Sequence, residues 1–231
     1  MGVRGKGEGA VSLNISKGNM YDFVTHTWNT VKGACPHDCS YCYMKRFGKQ
    51  KPARFDAKEL KTDLGEGNFI FVGSSCDMFA RDIPATWIEE TLNHCDETTS
   101  NRYLFQTKNP YGMIENGLGH FPEKSVVCAT IETNRHYPEF MANSPTPAER
   151  AHSLGKLFIF DRYVTIEPII DFDLFYLVEL IKWCSPVQVN IGADSGNNHL
   201  PEPSRDKVFA LIEELSKFTT VARKRNLERL A

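Results

Sequence analysis

The sequence predicts an α/β protein with a parallel sheet and outer helices. Six apolar runs recur along its 231 residues, capped helix-like segments fall between them, and polar residues collect at one parity inside the runs. Runs of this length bounded by turn formers read as strands buried on both faces, and parallel strands need crossovers such as the intervening helices supply.

In chain order, the strand runs are 27–33, 69–75, 102–108, 125–132, 158–167 and 187–194. Asp82 and Pro84 open a helix over 87–95, and Asn109-Pro110 opens another. Thr146, Pro147 and Glu149 compose a capping box. Asp171 precedes a helix over 174–183 and Ser204 one over 208–215, both with apolar residues at helical spacing. The polar segment 49–68 reads as a helix or an extended arm. Six strand–helix units are too few to close an eight-stranded barrel.

Side-chain alternation then assigns faces. In the run 187–194 the odd positions are apolar and suit outer helices, which turns Gln188, Asn190 and Asp194 inward. The same parity joins Gln106 with Lys108, Cys128 with Thr130 and Glu132, and Tyr163 with Thr165 and Glu167. So many polar groups on one face predict a wet or ligand-filled interior; the alternative is that they pair with one another.

The composition suits one substantial core. Hydrophobic residues make up 41% of the chain and no run approaches the length of a membrane span, so a membrane partner is not expected. Lys and Arg total 27 against 29 Asp and Glu, which leaves no general attraction for nucleic acid; contact there would be local. Basic residues do cluster at Arg4 and Lys6 in a glycine-rich leader and at Arg223-Lys224-Arg225, which reads as a solvated tail able to touch phosphate. Residues 1–18 are read as a flexible leader and 19–231 as a single core domain. Seven cysteines, an odd number, and no apolar signal segment fit a reducing, cytoplasmic setting.

Three of those cysteines, Cys35, Cys39 and Cys42, share one loop with the spacing C-x3-C-x2-C. A closed zinc site takes four protein ligands, whereas three thiolates on an iron–sulfur cube leave one iron open. His37 or His26 would complete a Cys3His zinc site, but His37 sits between closely spaced ligands and is expected to point to solvent. Cys95 and Cys184 fall on helices and read as small core residues.

The C-x3-C-x2-C spacing with Tyr41 before the last cysteine resembles the signature of the radical S-adenosylmethionine (radical SAM) superfamily. The stretches Asn19-Met20-Tyr21 and Thr25-His26-Thr27-Trp28-Asn29 resemble a phage-associated bacterial subgroup, and more distantly the spore photoproduct lyases, which repair DNA. The resemblance implies a partial (β/α)6 TIM-like barrel, a [4Fe-4S] cluster on Cys35, Cys39 and Cys42, and S-adenosylmethionine on the open iron. Reductive cleavage of that cofactor would give a 5′-deoxyadenosyl radical for hydrogen abstraction, with a flavodoxin- or ferredoxin-like electron donor as partner.

On the same resemblance, Gly73-Ser74-Ser75-Cys76-Asp77 would meet the methionine end of the cofactor, with Ser74, Ser75 and Asp77 as contacts. Lys108 would pair with the cofactor carboxylate, Tyr41 would lie against adenine, Glu132 would bind a ribose hydroxyl and Thr130 would take the place of a serine there; Asn190, turned inward by parity, is expected to join the cofactor site. Cys76 would donate a hydrogen atom to a substrate radical, while Glu167 in Glu167-Pro168 and Asp194 in Ala193-Asp194-Ser195-Gly196 would contact substrate. The expected substrate is a nucleobase, free or within DNA. The alternatives are a small metabolite or peptide, or a zinc-stabilised binding module without catalysis.

Overall fold

The structure is a computed structural model that describes residues 13–17, 21–117 and 119–231; Arg4, Lys6, Asn19 and Met20 lie outside the described residues. The strands are β1 (Asn14–Ile15), β2 (His26–Trp28), β3 (Val31–Lys32), β4 (Arg54–Phe55), β5 (Phe69–Val72), β6 (Arg102–Thr107), β7 (Ser125–Thr130), β8 (Asp161–Ile166), β9 (Gln188–Ile191) and β10 (Thr220–Arg223). The helices are α1 (Ala85–Asp96), α2 (Pro110–Gly117), α3 (Pro138–Met141), α4 (Pro147–Gly155), α5 (Leu174–Cys184) and α6 (Arg205–Ser216). The main sheet runs β1-β2-β5-β6-β7-β8-β9-β10, parallel throughout except for the β1–β2 pair. β1 and β10 are its two ends, so among the described residues the sheet does not close into a barrel.

Each predicted helix forms. On α4, Thr146 Oγ1 accepts from the Glu149 amide and the Glu149 carboxylate accepts from the Thr146 amide, which completes the predicted box. Ser204 likewise accepts from Lys207 N at the start of α6. Asp171 does not cap α5; its carboxylate pairs instead with Arg135 at 2.6 Å and with Lys207.

Three expectations are corrected. The first predicted strand breaks after Trp28, because the Asn29 side chain accepts from the β5 loop and Thr30 Oγ1 bonds Thr91 Oγ1 at 2.6 Å; only β2 stays in the main sheet. Past the break the chain forms β3, which pairs with β4, so the segment 49–68 is an arm holding β4 and a 3-10 turn at Ala57–Lys61. The basic C-terminal cluster is not a solvated tail. Its first residue ends β10, a seventh parallel strand paired with β9.

Alternation sorts the sheet's two faces as predicted. Val127, Val164, Val189 and Ile191 are buried in the main apolar core with residues of α4, α5 and α6, each contributing about 1.5–3 kcal/mol of burial. On the inner face, register aligns Gln106, Cys128, Tyr163 and Gln188 in one layer and Thr130, Thr165, Asn190 and Ala222 in the next toward the carboxyl ends. Nearer the amino ends, Tyr21, Val24, Phe69, Phe71, Leu104 and Val126 pack into a separate apolar plug.

Candidate functional site

The carboxyl end of β2 leads into the cysteine loop, which two tight turns hold together: Asp38 N donates to Cys35 O at 3.1 Å and Cys42 N to Cys39 O at 3.2 Å. Cys39 is buried, with its sulfur 3.7 Å from Met141 O and 3.8 Å from Ser144 Oγ; Cys35 and Cys42 are partly exposed. A hydrogen bond from the Cys76 thiol, aided by His37, brings the Cys35 pKa down to about 6, and that same bond pushes Cys76 up. Burial raises Cys39.

His37 does not point to solvent. It is 3% exposed, and its Nε2 lies 2.9 Å from Asp77 Oδ2. The same carboxylate accepts from Phe79 N at 3.0 Å, Thr107 Oγ1 at 2.9 Å and Lys108 N at 2.8 Å. Burial alone would raise the Asp77 pKa; the His37 contact and these donors outweigh it and hold the group lowered. Asp77 therefore ties the cysteine loop to the ends of β5 and β6. A closed Cys3His site loses its nearer imidazole to this pairing, and His26 sits in β2 with its ring 2.9 Å from Thr25 Oγ1.

A second anchor is built on Glu132, just past β7 and fully buried. It pairs with Lys108 at 2.8 Å and Arg150 at 2.5 Å, and it accepts from the Tyr41 hydroxyl. Burial favours the neutral acid, but Arg150 and Lys108 prevail and bring its pKa to about 2. Burial pushes Lys108 down, and Glu132 more than reverses this. Arg150 reaches Glu132 from α4, also donating to Thr130 O at 3.0 Å, Pro145 O at 2.6 Å and Ser144 Oγ at 3.0 Å. The Lys108 ammonium stands 5.1 Å from the centre of the Tyr41 ring.

The predicted residues thus fall into groups. Ser74 and Ser75 follow β5, where Asn29 Oδ1 accepts from Ser75 N at 2.9 Å, Ser75 Oγ at 3.0 Å and Ser74 Oγ at 3.2 Å. Cys76 is buried beneath the cysteine loop in the main core. Thr130 accepts from Gln106 at 2.9 Å, and Thr165 meets the Tyr21 hydroxyl at 2.7 Å, so many inner polar groups pair with one another. Asn190 is different: Gln188 donates to its Oδ1 at 2.7 Å, but its buried Nδ2 has no partner. Glu167 pairs with Lys224 at 2.5 Å and accepts from Asn226 Nδ2 at 2.8 Å. Asp194 shapes its own loop, accepting from Gly196 N at 2.9 Å and Asn198 Nδ2 at 2.6 Å.

Sequence reasoning passed over Asn29, Arg150, Lys224 and Asn226 as site residues. Arg150 had a visible signal, since it shares the apolar stripe of α4 with Pro147 and Leu154, where a charge needs a buried partner. Lys224 was hidden because β10 was not recognised.

The donor set, three free thiols in one loop, suits an iron–sulfur cluster. Among the described residues no group of three or more His, Cys, Asp or Glu side chains gathers around one metal position. A cube carries its irons at separate corners and so takes thiolates that stand apart, as Cys35, Cys39 and Cys42 would supply them; a further thiol, Cys76, hydrogen-bonds Cys35 from below the loop. The unpartnered Asn190 donor leaves the lumen with unmet polar capacity.

The chain has the fold shared by radical SAM enzymes. Spore photoproduct lyase with bound AdoMet and dinucleoside spore photoproduct superposes with a TM-score of 0.66 at 11% identity, over 96% of this chain and 86% of that one. The same enzyme complexed with dinucleoside spore photoproduct gives 0.60 at 12% identity, over 88% and 64%. Streptococcus suis SuiB bound to S-adenosylmethionine gives 0.53 at 10% identity, over 85% of this chain and 49% of that one. At these identities the likeness is one of fold. No protein-family model matches the chain, and no curated protein matches its sequence.

Proposed function

We propose that the protein is a radical SAM enzyme acting on a nucleobase. One observation carries the reading: in a fold shared with radical SAM enzymes, the C-x3-C-x2-C loop stands at the carboxyl end of β2, where folds of this kind place their chemistry. Cys35, Cys39 and Cys42 would hold a [4Fe-4S] cluster. The cluster and S-adenosylmethionine together supply one-electron cleavage of a sulfonium, and through it hydrogen-atom abstraction from substrate.

The chain's own residues bind, orient and exclude water. Asp77 and His37 hold the loop in place, while Ser74 and Ser75, organised by Asn29, offer hydroxyls for the amino acid end of the cofactor. Lys108, Thr130, Glu132 and Tyr41 border the adjoining side, with Lys108 as the cation for a carboxylate. Asn190 brings its unpartnered amide donor. The apolar plug around Tyr21, Phe69 and Leu104 closes the amino end of the lumen to water. Cys76, beneath the loop, is placed to steady Cys35, and a hydrogen-donor role would require it to reach the lumen. A dinucleoside photoproduct bound to a protein of this fold supports a nucleobase substrate. In this reading a flavodoxin- or ferredoxin-like protein delivers the electron.

Anaerobic reconstitution tests the proposal. The wild type should bind close to four irons per chain and yield 5′-deoxyadenosine after reduction with S-adenosylmethionine, and Cys39→Ala should lose both, since cubes of this kind need each thiolate. A colourless protein holding one zinc would overturn it.

A further inference from the structure

The stretch 43–55, directly after the last cysteine of the loop, carries five Lys or Arg and no Asp or Glu, in a chain whose acidic residues slightly outnumber its basic ones. Lys45, Arg46, Lys49, Lys51 and Arg54 are all exposed. Lys45 is tied to Asp38 at 2.8 Å, whereas the other four make no ion pair among the described residues. The next carboxylates along the chain do not offset this charge, because Asp56 and Glu59 both pair with Lys32, at 2.8 and 2.6 Å.

The stretch is fixed beside the cysteine loop. The Tyr43 hydroxyl donates to Ser74 O, past the end of β5, at 2.8 Å. Ala34 N, next to Cys35, donates to Lys51 O at 2.8 Å, and β4 pairs with β3. Gly33 packs so closely under the arm that a methyl there would come within 2.6 Å of Pro52 O. The unpaired cations are therefore mounted on the root of the loop that carries Cys35, on the side of the sheet where the strands end.

Two large rings interrupt the charge. Phe47 is 62% exposed and Tyr43 48%, and the Arg46 guanidinium stands 4.9 Å from the centre of the Phe47 ring and 5.6 Å from that of Tyr43. Surfaces that take a single strand of nucleic acid combine these two features: cations track the backbone phosphates, and rings stack on the bases whatever their sequence. An acidic protein would complement the cations and leave the rings unused, and a duplex keeps its base faces stacked inside.

We propose that 43–55 docks a single-stranded nucleic acid, with Arg46, Lys49, Lys51 and Arg54 on the backbone phosphates and Phe47 stacked on a base, so that the reacting base reaches the cysteine loop as part of a strand. This rests on the nucleobase reading and specifies the form of the substrate. DNA and RNA strands share this chemistry, and the experiment separates them.

The test follows the fluorescence anisotropy of a labelled oligonucleotide, as a deoxy strand, a ribo strand and a duplex, on the reconstituted protein. One or both single strands should bind more tightly than the duplex, the tighter strand naming the source. Log affinity should fall against log salt with a slope near −3, about −0.7 for each of four phosphates. Arg46→Gln, Lys49→Gln, Lys51→Gln and Arg54→Gln together should remove most of that slope, and each alone should take about 0.7 from it. Phe47→Ala should weaken binding roughly fivefold or more at unchanged slope. The inference is overturned if no single strand binds, if the slope survives the four changes, or if Phe47→Ala binds like wild type. It is also overturned if polyglutamate displaces the strand as well as unlabelled strand does, which would mark a site for an acidic protein such as the electron donor. No strand binding by a protein with normal iron content and 5′-deoxyadenosine formation sinks this inference alone. Strand binding by a protein that takes no iron supports the docking surface and sinks the radical SAM reading.

Discussion

Glu132 is a buried carboxylate whose charge is sustained by Arg150, Lys108 and Tyr41. Removing Arg150 leaves Glu132 with Lys108 as its cation and deprives Thr130 O, Pro145 O and Ser144 Oγ of their donor, at about 1–3 kcal/mol for each polar group left buried and unpaired. Arg150→Met should therefore lower the unfolding free energy by at least an amount of that size, measured by urea unfolding as a lower midpoint at unchanged slope. Acid should act on the same group. Its pKa is lowered from 4.5 to about 2 in the folded chain, so its stabilisation is complete above about 4.5 and lost as the pH falls toward 2. Asp77, also lowered, adds a loss of the same sign. Urea midpoints followed downward from about pH 5 should fall for the wild type, and Glu132→Gln should show a shallower decline. A decline of equal steepness in both would show that Glu132 is not the group responsible.

The cysteine loop is an element with little regular structure of its own, and its position depends on side chains from two strand ends. Asp77 supplies one tether by gathering His37, Thr107 Oγ1 and Lys108 N on one oxygen, beside backbone bonds from Asn143 N to His37 O at 3.0 Å and from Ser40 N to Phe140 O at 2.9 Å. Asp77→Ala leaves these donors without a partner, at about 1–3 kcal/mol for each that stays buried. The expected result is a chain that still folds but takes up markedly less iron, measured as iron per chain after reconstitution. Full iron loading in this variant would show that the loop holds its shape unaided. Helix α4 matters for a related reason, because its capping box fixes the turn from which Arg150 reaches Glu132.

Across the protein as a unit, the open sheet makes its last strand essential to the lumen. β10 pairs with β9 along Thr220 to Arg223 and carries Lys224 to Glu167. A chain ending at residue 217 would leave β9 as an unpaired parallel edge and would expose the inner polar face, a combination that favours aggregation. That truncated protein should be recovered mainly as insoluble material, assayed by its soluble fraction on expression, whereas a soluble, cooperatively unfolding product would show β10 to be dispensable.

The α/β alternation, the helix caps and the inward parity of Gln106, Thr130, Thr165 and Asn190 were legible in the amino-acid order, since these follow from local spacing and chirality. So was the cysteine loop, whose ligands are near neighbours in the chain. Only the packed chain reveals that His37 turns inward to Asp77, that Arg150 meets Glu132, and that a basic stretch becomes the edge strand bearing Lys224. Each of those joins residues far apart in sequence, and a buried charge takes whichever partner the fold brings within reach.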